Sequence, residues 1–301
     1  MDGKDLKRRL RVLMDEDTGS GWLDEQSSYD FLYEGAKEVV DRTGCLKSTQ
    51  SITTVAETSS YNLNPDFMRL YAKNSSNKFY IKLNDGSNNH FPIAKDYEDV
   101  IYEDNTNSVS IPGRFAIIDQ SLLSQIGSTA TSAGAASGGE CTLTDSAALF
   151  ANVEPGAIVH NTTDGSDGVV LSKTSTSAVK TALFGGTNND WSSSDAYIIQ
   201  PQGRYQLILD PPPSVSGYTI TVSYIQIPDP VYSDYGIYRF SNQYKESVVK
   251  YAFWLYKYRD GAPDVGDAMY RYFEAQVGKY SHFVNQGLRG SPLKVNFKAR
   301  R

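Results

Sequence analysis

The sequence is poor in the residues that most often bind metals or act as nucleophiles: its 301 residues include only two cysteines and three histidines. Cys45 and Cys141 lie far apart, and the sequence contains no CxxC pair and no Cys/His cluster. We therefore do not expect a zinc site, and a disulfide framework is excluded. No apolar run approaches the roughly 20 residues that a membrane-spanning helix requires.

The first 19 residues carry charged side chains along their whole length, and they lack the apolar core of a signal peptide. We therefore expect a protein that is made and used, or assembled, in a cytoplasm, without a membrane. Hydrophobic residues make up 40% of the chain and charged residues 21%, which is typical of a folded protein. The formal net charge of −6 argues against a general nucleic-acid binder, because such domains are usually basic.

Motifs that carry enzyme chemistry are also missing. The sequence has no GxSxG nucleophile elbow, no GxxxxGK[ST] phosphate loop and no GxGxxG fingerprint between a strand and a helix. The three histidines, His90, His160 and His282, are far apart in the sequence. We therefore expect a protein that is not an enzyme and that needs no cofactor.

One stretch, "HNTTDGSDG" at 160–168, has residue types that could hold a cation. His160, Asp164 and Asp167 are the candidate ligands. However, Asx–Gly pairs are common turn formers, and the spacing differs from that of calcium-binding loops. We therefore expect a turn here and no metal.

Helical periodicity is clear at both ends of the chain. Leucines spaced four and three residues apart predict a helix over 4–16, and a second helix should begin near Asp24 and end at Gly44, a suitable C-terminal cap. Two further apolar stripes, over 244–261 and 264–285, flank the sequence "DGAPD". Because proline cannot continue a helix, we predict an αα-hairpin there.

Alternating patterns between these helices predict strands. "STQSITTVAETSSYNLN" (48–64) reads as one polar strand, and "KFYIKLNDGSNNHFPI" (78–93) as a hairpin. "SIPGRFAIID" (110–119) predicts another strand. "GRYQLILDPPPSVSGYTITVSYIQIP" (203–228) predicts an antiparallel hairpin around a Pro-rich connection. The chain has 21 tyrosines. Tyrosine is frequent in strands, and it is also enriched at interfaces, where the ring is buried while the hydroxyl stays in contact with water.

The middle of the chain has a different composition. Residues 121–139 are rich in Ser, Gly, Ala and Thr, which indicates a flexible lead-in. Residues 140–200 predict short strands separated by Asn, Asp and Gly turns, and thus a compact β module. If Trp191 and Tyr197 were exposed and coplanar, this module could instead be a carbohydrate-binding face.

These patterns together predict an α+β fold. A helical bundle made by the N-terminal helices and the C-terminal αα-hairpin would combine with an antiparallel β-sheet, an inserted small all-β module and an extended C-terminal tail. The core would span 1–120 and 201–287, the module with its lead-in 121–200, and the tail 288–301.

The tail is the sharpest charge feature of the sequence. Apolar and cationic side chains alternate in it: Leu293, Lys294, Val295, Phe297, Lys298, Arg300 and Arg301. A solvated terminus and an arm that orders on a partner both fit this pattern. An arm would bind by strand addition or by docking in a groove.

The order of these features resembles that of the head-to-tail adaptor (connector) proteins of tailed bacteriophages. Four stretches carry the resemblance: "EVVDRTGCLKSTQSITTVAETSSYNLNPDFMRL", "IPGRFAIID", "LILDPPPSVSGYTITVSYIQIP" and "YKESVVKYAFWLYKYRDGAPDVGDAMYRYFEAQV". They fall within 20–120 and 203–285, and the segment 121–200 departs from the minimal pattern.

The resemblance implies a virion structural protein at the neck, assembled in the host cytoplasm. Such adaptors form homo-oligomeric, usually dodecameric, rings beneath the portal protein. Their helices and C-terminal tail contact the portal, their sheet side contacts the tail or the next neck protein, and genomic DNA passes transiently through the lumen. The alternative is a carbohydrate-binding or other surface-attachment structural protein of the virion.

Overall fold

Four α-helices lie at the two ends of the chain in the computed structural model, which describes residues 1–15, 23–71, 81–96, 107–120, 124–201 and 203–286. They are α1 (Gly3–Met14), α2 (Glu25–Thr43), α3 (Lys245–Arg259) and α4 (Pro263–Gln286). The Asp24 side chain caps α2 by accepting the Ser27 N–H at 2.7 Å. Gly44 ends α2 in the left-handed conformation, with φ of 61°. The predicted helix positions and the predicted C-terminal cap of α2 at Gly44 are confirmed.

Fifteen strands lie between these helices within the described residues. They are β1 (Lys47–Thr53), β2 (Ser60–Asn62), β3 (Phe67–Leu70), β4 (Ile81–Asn84), β5 (Asn89–His90), β6 (Ile93–Ala94), β7 (Arg114–Gln120), β8 (Ile126–Thr129), β9 (Cys141–Thr144), β10 (Ile158–Asn161), β11 (Ser166–Lys173), β12 (Ala178–Phe184), β13 (Ala196–Gln200), β14 (Arg204–Asp210) and β15 (Thr219–Gln226). They form sheets of five, six and four strands.

The predicted α+β fold based on a helical bundle is therefore wrong, because the chain is mostly β. The helices do not enclose a core of their own. Their buried side chains share one core with residues of strands and of the segment before α3: Val169, Leu171, Ala182, Ile225, Val231, Tyr232, Tyr238 and Phe240. Many strands are only two to four residues long, too short for their alternation to stand out in sequence.

The five-stranded and four-stranded sheets share a second core. The first has the order β1-β15-β4-β5, with β3 also paired to β15, and the second has the order β2-β14-β7-β6. The pairing of β6 with β7 is parallel, so the four-stranded sheet is mixed. Side chains from both sheets fill the space between them, including Phe115, Leu207, Leu209, Ile220, Val222 and Tyr224.

The predicted hairpin of β14 and β15 is wrong. β14 pairs with β2 and β7 in one sheet, whereas β15 pairs with β1, β3 and β4 in the other. Three consecutive prolines, residues 211–213, lie between the two strands. Since proline has a fixed φ and no N–H to donate, this stretch does not form a tight reversal and instead connects one sheet to the other.

The six-stranded sheet, in the order β8-β13-β10-β11-β12-β9, takes all its strands from residues 126–200. Its own core holds Trp191, Tyr197, Phe150 and Leu143. β8 lies in the stretch whose composition suggested a flexible lead-in, and it pairs with β13. Ala130, which follows β8, is buried. Small side chains therefore contribute an edge strand here rather than a linker.

Candidate interaction surface

Aromatic side chains line the junction between α3 and α4. We call them the aromatic seam: Tyr251, Trp254, Tyr258, Tyr270 and Phe273. The ring centroids of Trp254 and Tyr270 are 4.7 Å apart, and those of Tyr251 and Phe273 are 5.0 Å apart. The Tyr258 ring lies 5.2 Å from Trp254 at the outer end. The seam thus joins the two helices through ring contacts in the range where aromatic pairs attract.

Residue spacing produces this arrangement. Tyr251, Trp254 and Tyr258 are three and four residues apart, so they share one face of α3. Gly266 opens the facing side of α4, because a Cβ atom there would approach the Trp254 Cδ1 atom to 3.3 Å. Gly261 allows the turn between the helices, with φ of 75°.

The seam runs from a buried end to an exposed end. Phe273 is fully buried, whereas Tyr258 is 55% exposed and the flanking Tyr272 is 60% exposed. The Trp254 Nε1–H donates to the Asp267 Oδ1 atom at 3.2 Å. Aromatic rings that are half covered and keep their polar atoms accessible are enriched in protein interfaces.

Two further features describe the environment of the seam. Burial raises the pKa of Tyr251 to about 12. The Lys250 Nζ atom lies 5.3 Å from the centre of the Tyr272 ring, within cation–π range.

A second exposed apolar strip lies on α1. Val12 is 71% exposed, and Leu13 is exposed beside it. Ion pairs hold α1 against α3 at this point, since the Arg9 Nη1 atom lies 2.5 Å from the Glu246 Oε1 atom and Lys245 pairs with Asp5. The helical layer therefore presents apolar side chains on α1, α3 and α4.

The apolar stripes predicted over 244–261 and 264–285 did not reveal the seam. Tyr251, Trp254 and Tyr270 are only half-buried, on the flanks of their helices. The sequence did contain a signal for the seam. Tyr251, Trp254 and Tyr258 are three aromatic residues spaced three and four positions apart, beside the core stripe of the helix.

The residues of the predicted docking tail lie outside the described part of the chain: Leu293, Lys294, Val295, Phe297, Lys298, Arg300 and Arg301. The side chain of His282 also lies outside it.

The other two histidines each pair with one aspartate. The His90 Nε2 atom lies 2.9 Å from the Asp85 Oδ2 atom, in the turn between β4 and β5. The His160 Nδ1 atom lies 2.5 Å from the Asp167 Oδ1 atom, across the β10–β11 pair. Among the described residues, no group of three or more His, Cys, Asp or Glu residues is placed to hold a metal ion.

Asp164 accepts backbone hydrogen bonds rather than joining His160. Its Oδ1 atom accepts the N–H groups of Thr187 and Asn188, and its Oδ2 atom accepts that of Asn189, each at 3.1 Å. The stretch closes as a turn when the Gly165 N–H donates to the Asn161 carbonyl at 2.8 Å. The predicted turn is confirmed.

Trp191 and Tyr197 are buried in the six-stranded sheet's own core, each with 1% of its surface exposed. The Trp191 Nε1–H donates to the Thr181 Oγ1 atom at 2.9 Å, and the Tyr197 hydroxyl donates to the Asp145 Oδ2 atom at 2.6 Å. Their polar atoms are satisfied internally. These two rings therefore do not form the saccharide-binding face that the alternative function requires.

No family model matches the sequence, and a comparison with curated proteins finds no significant relative. Within the described part of the chain, no helix combines the length and apolar character needed to cross a membrane.

Proposed function

We propose that this protein is a virion structural protein, a head-to-tail adaptor that forms a ring between the portal and the tail of a bacteriophage. Genomic DNA would pass through the lumen of this ring. The helical layer and the C-terminal tail would contact the portal protein, and the sheets would face the tail or the next neck protein. The protein would act by binding and not by catalysis.

The observation that carries this proposal is the exposed aromatic surface of the helical layer. Single exposed apolar residues are normal on a monomer. Here the exposed Tyr258 lies beside the half-buried Trp254 ring on α3, and the exposed Tyr272 lies on the paired helix α4. Tyr and Trp in such settings supply much of the binding energy at protein interfaces. The resemblance in the order of sequence features assigns the partner of these helices as the portal.

The net charge of −6 also supports a DNA channel. Strong binding to phosphates comes from Lys and Arg, and a channel must let DNA slide without retaining it. An acidic chain suits this requirement.

Electron microscopy tests the proposal directly. The purified chain is imaged alone and with the portal protein of the same virus, and the mass of each assembly is measured. We expect a ring bound to the portal. A monomer that forms no ring with the portal present overturns the proposal.

A double variant, Tyr258→Ala with Tyr272→Ala, tests the surface. If the seam contacts the portal, losing two interface tyrosines should weaken binding by about 30-fold or more, which corresponds to the 2 kcal/mol typical of a hot spot. The matched control is Tyr235→Ala, because Tyr235 is 75% exposed but lies outside the helices. Equal effects of the double variant and the control would exclude the seam as the portal contact.

A further inference from the structure

Among the described residues, no strand pairs with the outer edge of β1. β1 pairs with β15 without a register shift, from Lys47 opposite Ile225 to Thr53 opposite Thr219. The pairing continues just beyond both ends of β1. The Leu46 carbonyl accepts the Gln226 N–H, and the Thr54 N–H donates to the Tyr218 backbone carbonyl. In an antiparallel pair, every second residue directs both backbone groups toward its partner. The even-numbered residues of β1 therefore bond to β15, and the odd-numbered residues point away.

These outward residues lack backbone partners within the described ranges. They are Lys47, Thr49, Ser51 and Thr53. Natural proteins usually protect an edge strand with a proline, a bulge, several charges or a covering element. β1 has one lysine, no proline and no bulge. Such an edge accepts an added strand.

Tyr280, six residues before the end of α4, lies near the segment that leads into β1. The ring of Tyr280, late in α4, lies 5.0 Å from the ring of Tyr244. Burial raises the pKa of Tyr244, and the thiol of Cys45, just before β1, raises it further. Cys45, Leu46 and Tyr280 also pack against the same core. The Tyr280 turn of α4 and Cys45, just before β1, therefore both lie beside Tyr244.

The remaining chain has the length and pattern to reach this edge. α4 continues for six residues beyond Tyr280, about 9 Å at the rise of a helix. Residues 287–292, "GLRGSP", could then span up to about 20 Å. Residues 293–298, "LKVNFK", alternate apolar and polar side chains as a strand requires.

We propose that residues 293–298 of the same chain add to the open edge of β1 as a further strand in the free protein. Leu293, Val295 and Phe297 would cover the half-buried side of the sheet beside Ile52, and Lys294 and Lys298 would face solvent. This inference goes beyond the adaptor proposal, in which the same tail binds the portal and must then leave β1.

Amide hydrogen exchange in β1 tests this strand. The full chain is compared with a chain ending at Gln286, and exchange is resolved residue by residue by NMR. We expect the Thr49 and Ser51 amides to exchange about tenfold or more slowly in the full chain, because each gains a hydrogen bond. The Gln50 and Ile52 amides already bond to β15 and should be protected in both chains. Equal rates at Thr49 and Ser51 overturn the proposal.

Two proline variants of the full chain separate strand addition from a general effect of the tail. Val295→Pro should remove the protection of Thr49 and Ser51, because proline interrupts strand pairing. Arg289→Pro, in the connecting residues, should retain it. Protection that survives Val295→Pro, or that disappears in both variants, contradicts the proposed strand.

A mixing experiment identifies the source of the strand. An isotopically labelled chain ending at Gln286 is mixed with unlabelled full chain, and only the labelled chain is observed. We expect Thr49 and Ser51 of the labelled chain to remain unprotected. Protection gained on mixing would mean that the strand comes from a second copy and would overturn the same-chain assignment. Because the portal is absent, this outcome and that of the ring experiment are independent.

Discussion

Replacing Phe273 with alanine should destabilise the protein strongly. Phe273 is fully buried, and its ring lies 5.0 Å from Tyr251 and 5.7 Å from Tyr270. Removing a buried phenyl ring typically costs about 3–5 kcal/mol, because transfer free energy is lost and a cavity remains. That is a large fraction of the roughly 5–15 kcal/mol by which folded domains are stable.

The measurement is urea unfolding followed by tryptophan fluorescence, since Trp254 lies in the seam. We expect the Phe273→Ala midpoint to fall at an unchanged slope. The control is Tyr272→Ala, whose 60% exposed ring predicts a change within about 0.5 kcal/mol. If Phe273→Ala lowered the free energy of unfolding by less than about 1 kcal/mol, the packing of α4 on α3 through the seam would be refuted. Removing a buried ring costs more than that.

Two further predictions concern charged and polar contacts. Lys245 and Arg8 hold the pKa of Asp5 well below its usual range, so the stability it contributes is present above the unfolded pKa and is lost as pH falls. In Asp5→Asn, the free energy of unfolding should therefore fall less steeply as the pH is lowered. Urea melts from neutral to acidic pH measure this dependence. Tyr197→Phe should cost about 1–3 kcal/mol, because the buried Asp145 carboxylate loses the donor to its Oδ2 atom and keeps the Ala147 N–H at its Oδ1 atom. Thermal unfolding checks this loss, and an unchanged melting temperature would contradict the assigned hydrogen bond.

The helices could be predicted because their determinants are local. Asp24 caps α2 through its own side chain, and Gly44 ends α2 because it adopts a positive φ without strain. Leu6 and Leu10 are fully buried on the predicted stripe of α1. Each of these features depends on residues within about one helical turn.

The sheets could not be predicted, because strand pairing depends on distant residues. β1 pairs with β15, although about 165 residues separate them along the chain. Alternation showed that 205–209 and 218–224 were strands, but not that they belong to different sheets. The polar stretch 48–64 contains two strands, β1 and β2, that also join different sheets. The seam was missed for a related reason, since only the packing of α3 against α4 brings Trp254 beside Tyr270.

The connection between α2 and β1 has a mechanical consequence for an adaptor. Only residues 44–46 separate the two elements. The Gly44 N–H donates to the Val40 carbonyl at 2.7 Å, and the Leu46 carbonyl accepts the Gln226 N–H at 3.0 Å. The Arg69 Nε atom, on β3, lies 2.6 Å from the Asp41 Oδ1 atom on α2.

This short connection is therefore bonded to the helix at one end and to the sheet at the other. A displacement of α2 would therefore reach β1 through this bonded connection. Because α2 packs against both α3 and α4, it also links the helices of the aromatic seam to the five-stranded sheet. In a ring between two partners, such a link would carry the effect of portal binding to the surface facing the tail.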